Sequence, residues 1–126
     1  MRFPLAVRYN DYDTKGHVNN AVFLTYFEMA RARAWIDALG GDAEFPFILA
    51  EASIQYRSQA RIGDPLEIEI TTTEIRTKAW VWSYVVRDAR DERVVAEGRT
   101  VQVAFDYEAR RTVPIPADIL ARLPTL

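Results

Sequence analysis

Residues 20–39, NAVFLTYFEMARARAWIDAL, decide the fold. Asn19 or Asn20 can cap a first helical turn by accepting a bond from a free backbone N–H, and Gly40-Gly41 supplies a left-handed exit at the other end. The spacing predicts one helix of about five turns. Val22, Phe23, Leu24, Tyr26, Phe27, Met29, Ala30, Ala34, Trp35, Ile36 and Leu39 cover most of its circumference rather than one stripe. A helix of that kind is expected to be surrounded.

The remainder of the chain reads as the surrounding material. Ahead of the helix, Phe3, Leu5, Val7 and Tyr9 alternate as a strand would place them, and a polar loop from Asp11 to Asn19 follows. Behind it, Ile48 to Gln59 reads as a strand, Gly63-Asp64-Pro65 as a turn, and Leu66 to Ile70 alternates as a half-exposed strand. Trp80, Trp82, Tyr84 and Val86 share one face of the next strand, Arg87 to Glu92 reads as a charged hairpin turn, and Val94 to Phe105 is the last long strand. Short connections imply antiparallel pairing in a meander. The tail from Pro114 has room for a short helix only. The fold class expected is therefore α+β: a curved antiparallel sheet of about five strands wrapped around one long central helix. Such a sheet leaves an edge and a surface that a second copy can cover, so a homodimer is expected.

Composition narrows the function. The chain has 126 residues, 49% hydrophobic and 27% charged, which fits a single domain spanning residues 1–126. A formal net charge of −2 with scattered arginines argues against nucleic acid as a partner. No cysteine is present, which excludes disulfides, thiolate metal sites and a cysteine nucleophile. The opening MRFPLAVRYND is too short an apolar run for a signal peptide, and no stretch is long enough to span a membrane; a cytoplasmic protein is expected. None of Ser53, Ser58 or Ser83 lies in a Gly-x-Ser-x-Gly elbow, and no phosphate loop or Gly-x-Gly-x-x-Gly occurs. One histidine is too few for an ordinary His-based metal site, though carboxylates could bind a hard ion, and no cofactor is expected.

What remains is the polar loop and the helix it enters: Asp11, Asp13, His17, Asn19, Asn20 and Glu28. A helix start offers free N–H groups and a positive dipole end, which stabilise an oxygen that becomes negative during reaction. A nearby carboxylate can serve as base or nucleophile. The same residues also suit a plain helix cap, and a Glu three positions before Arg31 suits a surface pair. On so apolar a helix, Glu28 is also a candidate for burial.

These residues carry a resemblance. The run Arg8-Tyr-Asn-Asp11-Tyr-Asp13-Thr-Lys-Gly16-His17-Val-Asn19-Asn20, followed by Tyr26-Phe27-Glu28-Met-Ala-Arg31, resembles the signature of the hotdog-fold thioesterases of the 4-hydroxybenzoyl-CoA thioesterase type. The resemblance implies a hotdog fold paired into dimers or dimers of dimers, acting on an acyl-CoA or an acyl-carrier-protein thioester. It implies that Asp13 is the catalytic carboxylate, activating water or attacking the carbonyl itself, and that Asn20 offers its backbone N–H to the thioester oxygen. The His-Val-Asn-Asn run is similar to that of plant acyl-carrier-protein thioesterases, which implies that His17 helps to position water or substrate. Lys15 departs from those enzymes, which have Asn there, and the benzoyl-CoA enzyme lacks the histidine. Asn19, Phe23, Phe27, Glu28 and Trp82 are the candidate substrate-binding residues, with the three aromatic side chains as walls of an acyl slot. Arg57, Arg61, Arg76, Lys78, Arg87 and Arg90 are candidates for meeting nucleotide phosphates. Two other readings belong beside hydrolysis: a hotdog-fold hydratase adding water to a 2-enoyl thioester, and a non-catalytic acyl-thioester binding protein.

Overall fold

The computed structural model describes residues 1–42 and 44–126. A short strand β1 (Arg2–Pro4) leads through a single 3₁₀ turn (Tyr9–Asp11) into helix α1 (Val22–Arg33). Four long strands follow, β2 (Phe47–Tyr56), β3 (Leu66–Ile75), β4 (Ala79–Asp88) and β5 (Val94–Asp106), then a two-residue β6 (Arg111–Thr112) and helix α2 (Ala117–Arg122). All strand pairs are antiparallel, in the order β1-β3-β4-β5-β2, with β6 beside the end of β5. The expected α+β hotdog architecture is observed.

Two details of the expected sheet are corrected. The alternation of Phe3, Leu5, Val7 and Tyr9 yields only three residues of strand, because the chain turns into the 3₁₀ segment at Tyr9, whose side chain is 87% exposed. The meander covers β3, β4 and β5 alone. β2 does not pair with the strand that follows it; it crosses to the far side and pairs with β5, from Phe47 opposite Ala104 to Tyr56 opposite Ala96. The long connection from Arg57 to Pro65 permits that crossing, where a tight hairpin would have forced neighbours together.

The helix is also corrected. It begins at Val22, and from Ala34 to Ala38 the backbone widens into a π turn before Gly40, at φ +64°, reverses the chain as expected. Only one face is enclosed: Phe23, Tyr26, Phe27, Ala30 and Ala34 are buried at helical spacing, whereas Leu24, Met29 and Ile36 are 46%, 38% and 48% exposed on the outer side. The buried stripe lies on the sheet's concave face, where Trp80, Trp82, Tyr84 and Val86 alternate inward as expected and are all fully buried. Each such side chain contributes roughly 1.5–3 kcal/mol of burial. Phe27 stacks on Tyr84 with ring centroids 4.3 Å apart and planes 10° from parallel. At the far end Ile115, Ile119 and Leu123 close the core, and the Arg122 guanidinium donates to the carbonyl of Leu39.

Candidate active site

The loop before α1 is built as a small hairpin of its own. The Asp13 N–H donates to the His17 carbonyl (2.7 Å) and the Gly16 N–H to the Asp13 carbonyl (3.1 Å), a turn that needs Gly16 at φ +76°. The Asp13 side chain locks the same turn, its Oδ1 accepting from the amides of Lys15 (2.8 Å) and His17 (3.1 Å). The hairpin is tied to the segment after β2, with the Val18 N–H donating to the Ala60 carbonyl (2.8 Å) and the Ile62 N–H to that of Gly16 (3.1 Å).

Asp11 fixes the loop from beneath. Its carboxylate is buried, accepts the Arg8 amide (2.9 Å) and guanidinium (3.0 Å), and receives the Tyr26 hydroxyl from α1 (3.0 Å). Its carbonyl accepts the Asn19 N–H (2.8 Å). Asn19 holds the helix entry: its Oδ1 accepts the Ala21 N–H (3.0 Å) and its carbonyl the Val22 N–H (3.0 Å). Neither asparagine stands at the cap position, which is Ala21 and has no side-chain cap bond; of the two, only Asn19 gives a side-chain acceptor to the turn just before α1. Asn20 projects outward, and its N–H meets no acceptor among the described residues.

Asp13, His17, Asn20 and Phe23 line one open groove of about 390 Å³, whose other wall is the end of β2 and its continuation from Tyr56 to Ala60. The loop motif and the first turn of α1 thus converge on one surface. Tyr56, which the sequence reading did not single out, donates its hydroxyl to the Asn20 carbonyl (2.8 Å) and so anchors the backbone of Asn20 from the opposite wall of the groove. No sequence signal marks Tyr56, because its link to Asn20 spans 36 residues.

The other expected substrate-binding residues lie elsewhere. Phe27 and Trp82 are fully buried in the core, Trp82 donating its indole N–H to Thr72 Oγ1 (3.0 Å) and packing on Phe47 and Trp80. In this chain neither wall belongs to the groove. The burial expected for Glu28 is not found; it is exposed on the outer side of α1, because position 28 falls between the inward Phe27 and Ala30.

Backbone amides also act on the Asp13 carboxyl. The amide of His17 and, after the opposing effect of burial, that of Lys15 hold its carboxyl below the usual carboxylate range. The group is a carboxylate at neutral pH, and among the described residues no donor engages its Oδ2. Asp13, with one carboxylate oxygen unengaged, and Asn20, whose amide N–H meets no acceptor among the described residues, therefore line one groove, a combination that suits attack on a carbonyl. Among the described residues, no group of three or more His, Asp or Glu side chains is placed to hold a metal ion. Among the described residues, no helix is long and apolar enough to cross a membrane.

The chain belongs to the thioesterase-like superfamily, whose family model matches residues 7–123. It is 26% identical over 131 residues to the long-chain acyl-CoA thioesterase FadM of Escherichia coli K12, covering 98% of this chain and 96% of that one. It is 25% identical to the acyl-CoA thioester hydrolase YbgC of Escherichia coli O6:H1, covering 96% and 93%. Among solved structures, a thioesterase from Thermus thermophilus complexed with coenzyme A and zinc superposes with a TM-score of 0.86 at 27% identity, over 98% of this chain and 91% of that one. The resemblance drawn from the loop motif extends over nearly the whole chain.

Proposed function

We propose that this protein hydrolyses acyl-CoA thioesters to a free acid and a thiol. The observation that carries the reading is that Asp13, a carboxylate, and Asn20, whose N–H meets no acceptor among the described residues, line one groove. A thioester carbonyl seated between them is polarised by the amide at the helix entry while Asp13 acts on the opposite side. As a base, Asp13 takes a proton from water as its oxygen bonds to the acyl carbon; the C–S bond breaks and the proton passes to the departing thiolate. As a nucleophile, Asp13 bonds to the acyl carbon, expels the thiolate and is released by water. His17, half-buried in the same groove, orients water or substrate. Phe23 gives the acyl group an apolar wall.

A homodimer, with two dimers pairing further, belongs to the same reading. It is supported by the ten-residue edge strand β2, whose Leu49 and Tyr56 are 48% and 45% exposed, and by the bare outer side of α1. The cysteine-free composition fits a reducing cytoplasm.

The test is thiol release over a panel of aliphatic and aromatic acyl-CoAs, with Asp13→Asn alongside. Asn keeps an Oδ1 for the amides of Lys15 and His17, so the loop stays folded while kcat falls by roughly 10²- to 10⁴-fold. Full activity in the variant overturns Asp13 as catalyst. Crotonyl-CoA losing its double-bond absorbance without thiol release would assign the site to a hydratase. Ligand-raised melting temperature without turnover would assign it to a binding protein.

A further inference from the structure

Arg93 lies in the turn between β4 and β5, immediately before Val94, and its side chain crosses to the segment that carries the chain from β2 to β3. Its Nη1 donates to Ser58 Oγ (2.6 Å) and to the Gln59 carbonyl (2.9 Å). Ser58 and Gln59 belong to the groove wall across from the Asp13 loop, whereas Arg93 does not line that groove. We propose that Arg93 is a positioning residue for thioester hydrolysis: from outside the groove it holds this wall, and through the wall the hairpin that carries Asp13.

Gln59 is the joint of that wall. On one side of it the Arg57 and Ser58 amides both donate to the Val95 carbonyl (2.8 and 3.1 Å), which pins the chain to β5. On the other side the Val18 N–H donates to the Ala60 carbonyl and the Ile62 N–H to that of Gly16, which pins the chain to the hairpin. Between these anchors the Gln59 carbonyl has one donor among the described residues, Nη1 of Arg93. The peptide that joins the sheet to the Asp13 hairpin is thus set by a side chain rather than by the ladder.

The arm that sets it is itself braced. Asp88, the last residue of β4, is fully buried; its Oδ2 accepts from Arg93 Nη2 (3.3 Å) and its Oδ1 from Arg90 Nε (3.0 Å). The backbone closes the same turn, the Asp88 N–H donating to the Arg93 carbonyl (3.0 Å). The guanidinium and amide of Arg90, joined by the charge of Arg93, hold the Asp88 carboxyl well below the ordinary carboxylate range, so the brace is an anion at neutral pH. Asp64 lies 3.7 Å from Arg93 Nη2 and accepts the Arg61 amide (2.8 Å), a second tie to the crossing segment. The arrangement uses the planar fork of arginine: one terminal nitrogen faces the acids while the other faces Ser58 and Gln59. The single ammonium of lysine cannot divide itself in this way.

This inference rests on the thioesterase reading, and the experiment has a readout for each. Thiol release from acyl-CoA is measured for Arg93→Lys and Arg93→Ala, with urea unfolding of both. Lysine keeps a charge beside Asp88 but loses the fork, so Arg93→Lys should retain most of the stability while kcat falls roughly 10- to 100-fold and KM stays within about twofold. The Arg93 side chain is 36% exposed, so its place can be reached from solvent. Guanidinium ion at a non-denaturing concentration should therefore restore part of kcat in Arg93→Ala, and methylammonium should not. A loss of rate that only follows the unfolded fraction, a change confined to KM, or equal rescue by the two ions would overturn the proposal while leaving hydrolysis intact. If the wild type releases no thiol, the thioesterase reading fails, and amide hydrogen exchange decides the positioning of the hairpin alone. Faster exchange at Val18 and Ile62 in Arg93→Lys, with the β3–β4 ladder unchanged, supports it, and unchanged exchange at both amides overturns it.

Discussion

Tyr26 of α1 donates its hydroxyl to Oδ2 of Asp11 across 3.0 Å, with both side chains 1% exposed. This bond joins the core to the candidate catalytic loop, since the Asp11 carbonyl in turn receives the Asn19 amide at the helix entry. Removing the hydroxyl in Tyr26→Phe leaves Oδ2 with only the Arg8 amide, a loss of about 1–3 kcal/mol measurable by urea unfolding. The pH dependence has a definite sign. Burial by itself raises the Asp11 carboxyl, but the Arg8 amide and guanidinium and the Tyr26 hydroxyl outweigh it and hold the group below its ordinary range. Its contribution is therefore complete above the unfolded value of about 3.9 and is lost as the pH falls through the lower folded value. Tyr26→Phe should shrink that acid-sensitive part of the stability, and an unchanged acid limb would refute the role given to the bond.

Asp13 has its own pH signature. Because neighbouring amides lower its carboxyl, the carboxylate form should persist in the folded enzyme below the ordinary value of about 3.9. Thiol release should then show no loss attributable to Asp13 between about pH 5 and neutrality, as estimated from that ordinary value. The largest lowering influence is the His17 backbone N–H, so His17→Gln should leave this behaviour in place even where it slows the reaction. A loss of thiol release between about pH 5 and neutrality that persists in His17→Gln would overturn the role given to the Asp13 carboxylate.

Tyr56 reaches the site from the opposite wall. Its hydroxyl bond to the Asn20 carbonyl anchors the backbone whose amide is proposed to meet the thioester oxygen. Tyr56→Phe removes one neutral hydrogen bond at an exposed position, which corresponds to a fall in kcat of roughly 2- to 10-fold with little change in KM. A change confined to melting temperature, with kcat intact, would make Tyr56 merely structural.

The parts of this molecule that were legible in the sequence are those in which chemistry and spacing are local. The Asp13-to-Asn20 loop closes on itself within a few residues of Asp13, so its turn glycine, its acid and its helix entry appear together in the chain. The inward alternation of Trp80, Trp82, Tyr84 and Val86 was equally readable, because a strand's period is fixed by its backbone. The position of β2 was not. Hydrophobic alternation describes which face of a strand is buried and is silent on which strand lies beside it. The same limit hid Tyr56 and Arg93, whose partners are brought to them by that crossing and by the β4–β5 turn. Trp82 was misplaced for a related reason: a large aromatic residue on an inward face serves equally as core or as pocket wall, and only the packing of Phe47 and Trp80 around it decides.

Helix and sheet approach each other tightly at Gly98. A Cβ there would stand 2.3 Å from Cε2 of Phe27 and 2.6 Å from the carbonyl oxygen of Ser53, both far inside contact distance. Phe27 cannot simply swing aside, because it is fully buried and stacked on Tyr84. Gly98→Ala should therefore destabilise the fold by about 1–3 kcal/mol or more through overpacking. Phe27→Leu would shorten the side chain that the new methyl meets, at a cost of its own from lost burial. In the double variant the two losses should be less than additive, since one substitution makes room for the other. Recovery should be partial, because the Ser53 carbonyl belongs to the paired backbone of β2 and does not move with Phe27. Urea unfolding of the two single variants and the double checks this, and strictly additive losses would show that Phe27 is not what excludes a side chain at position 98.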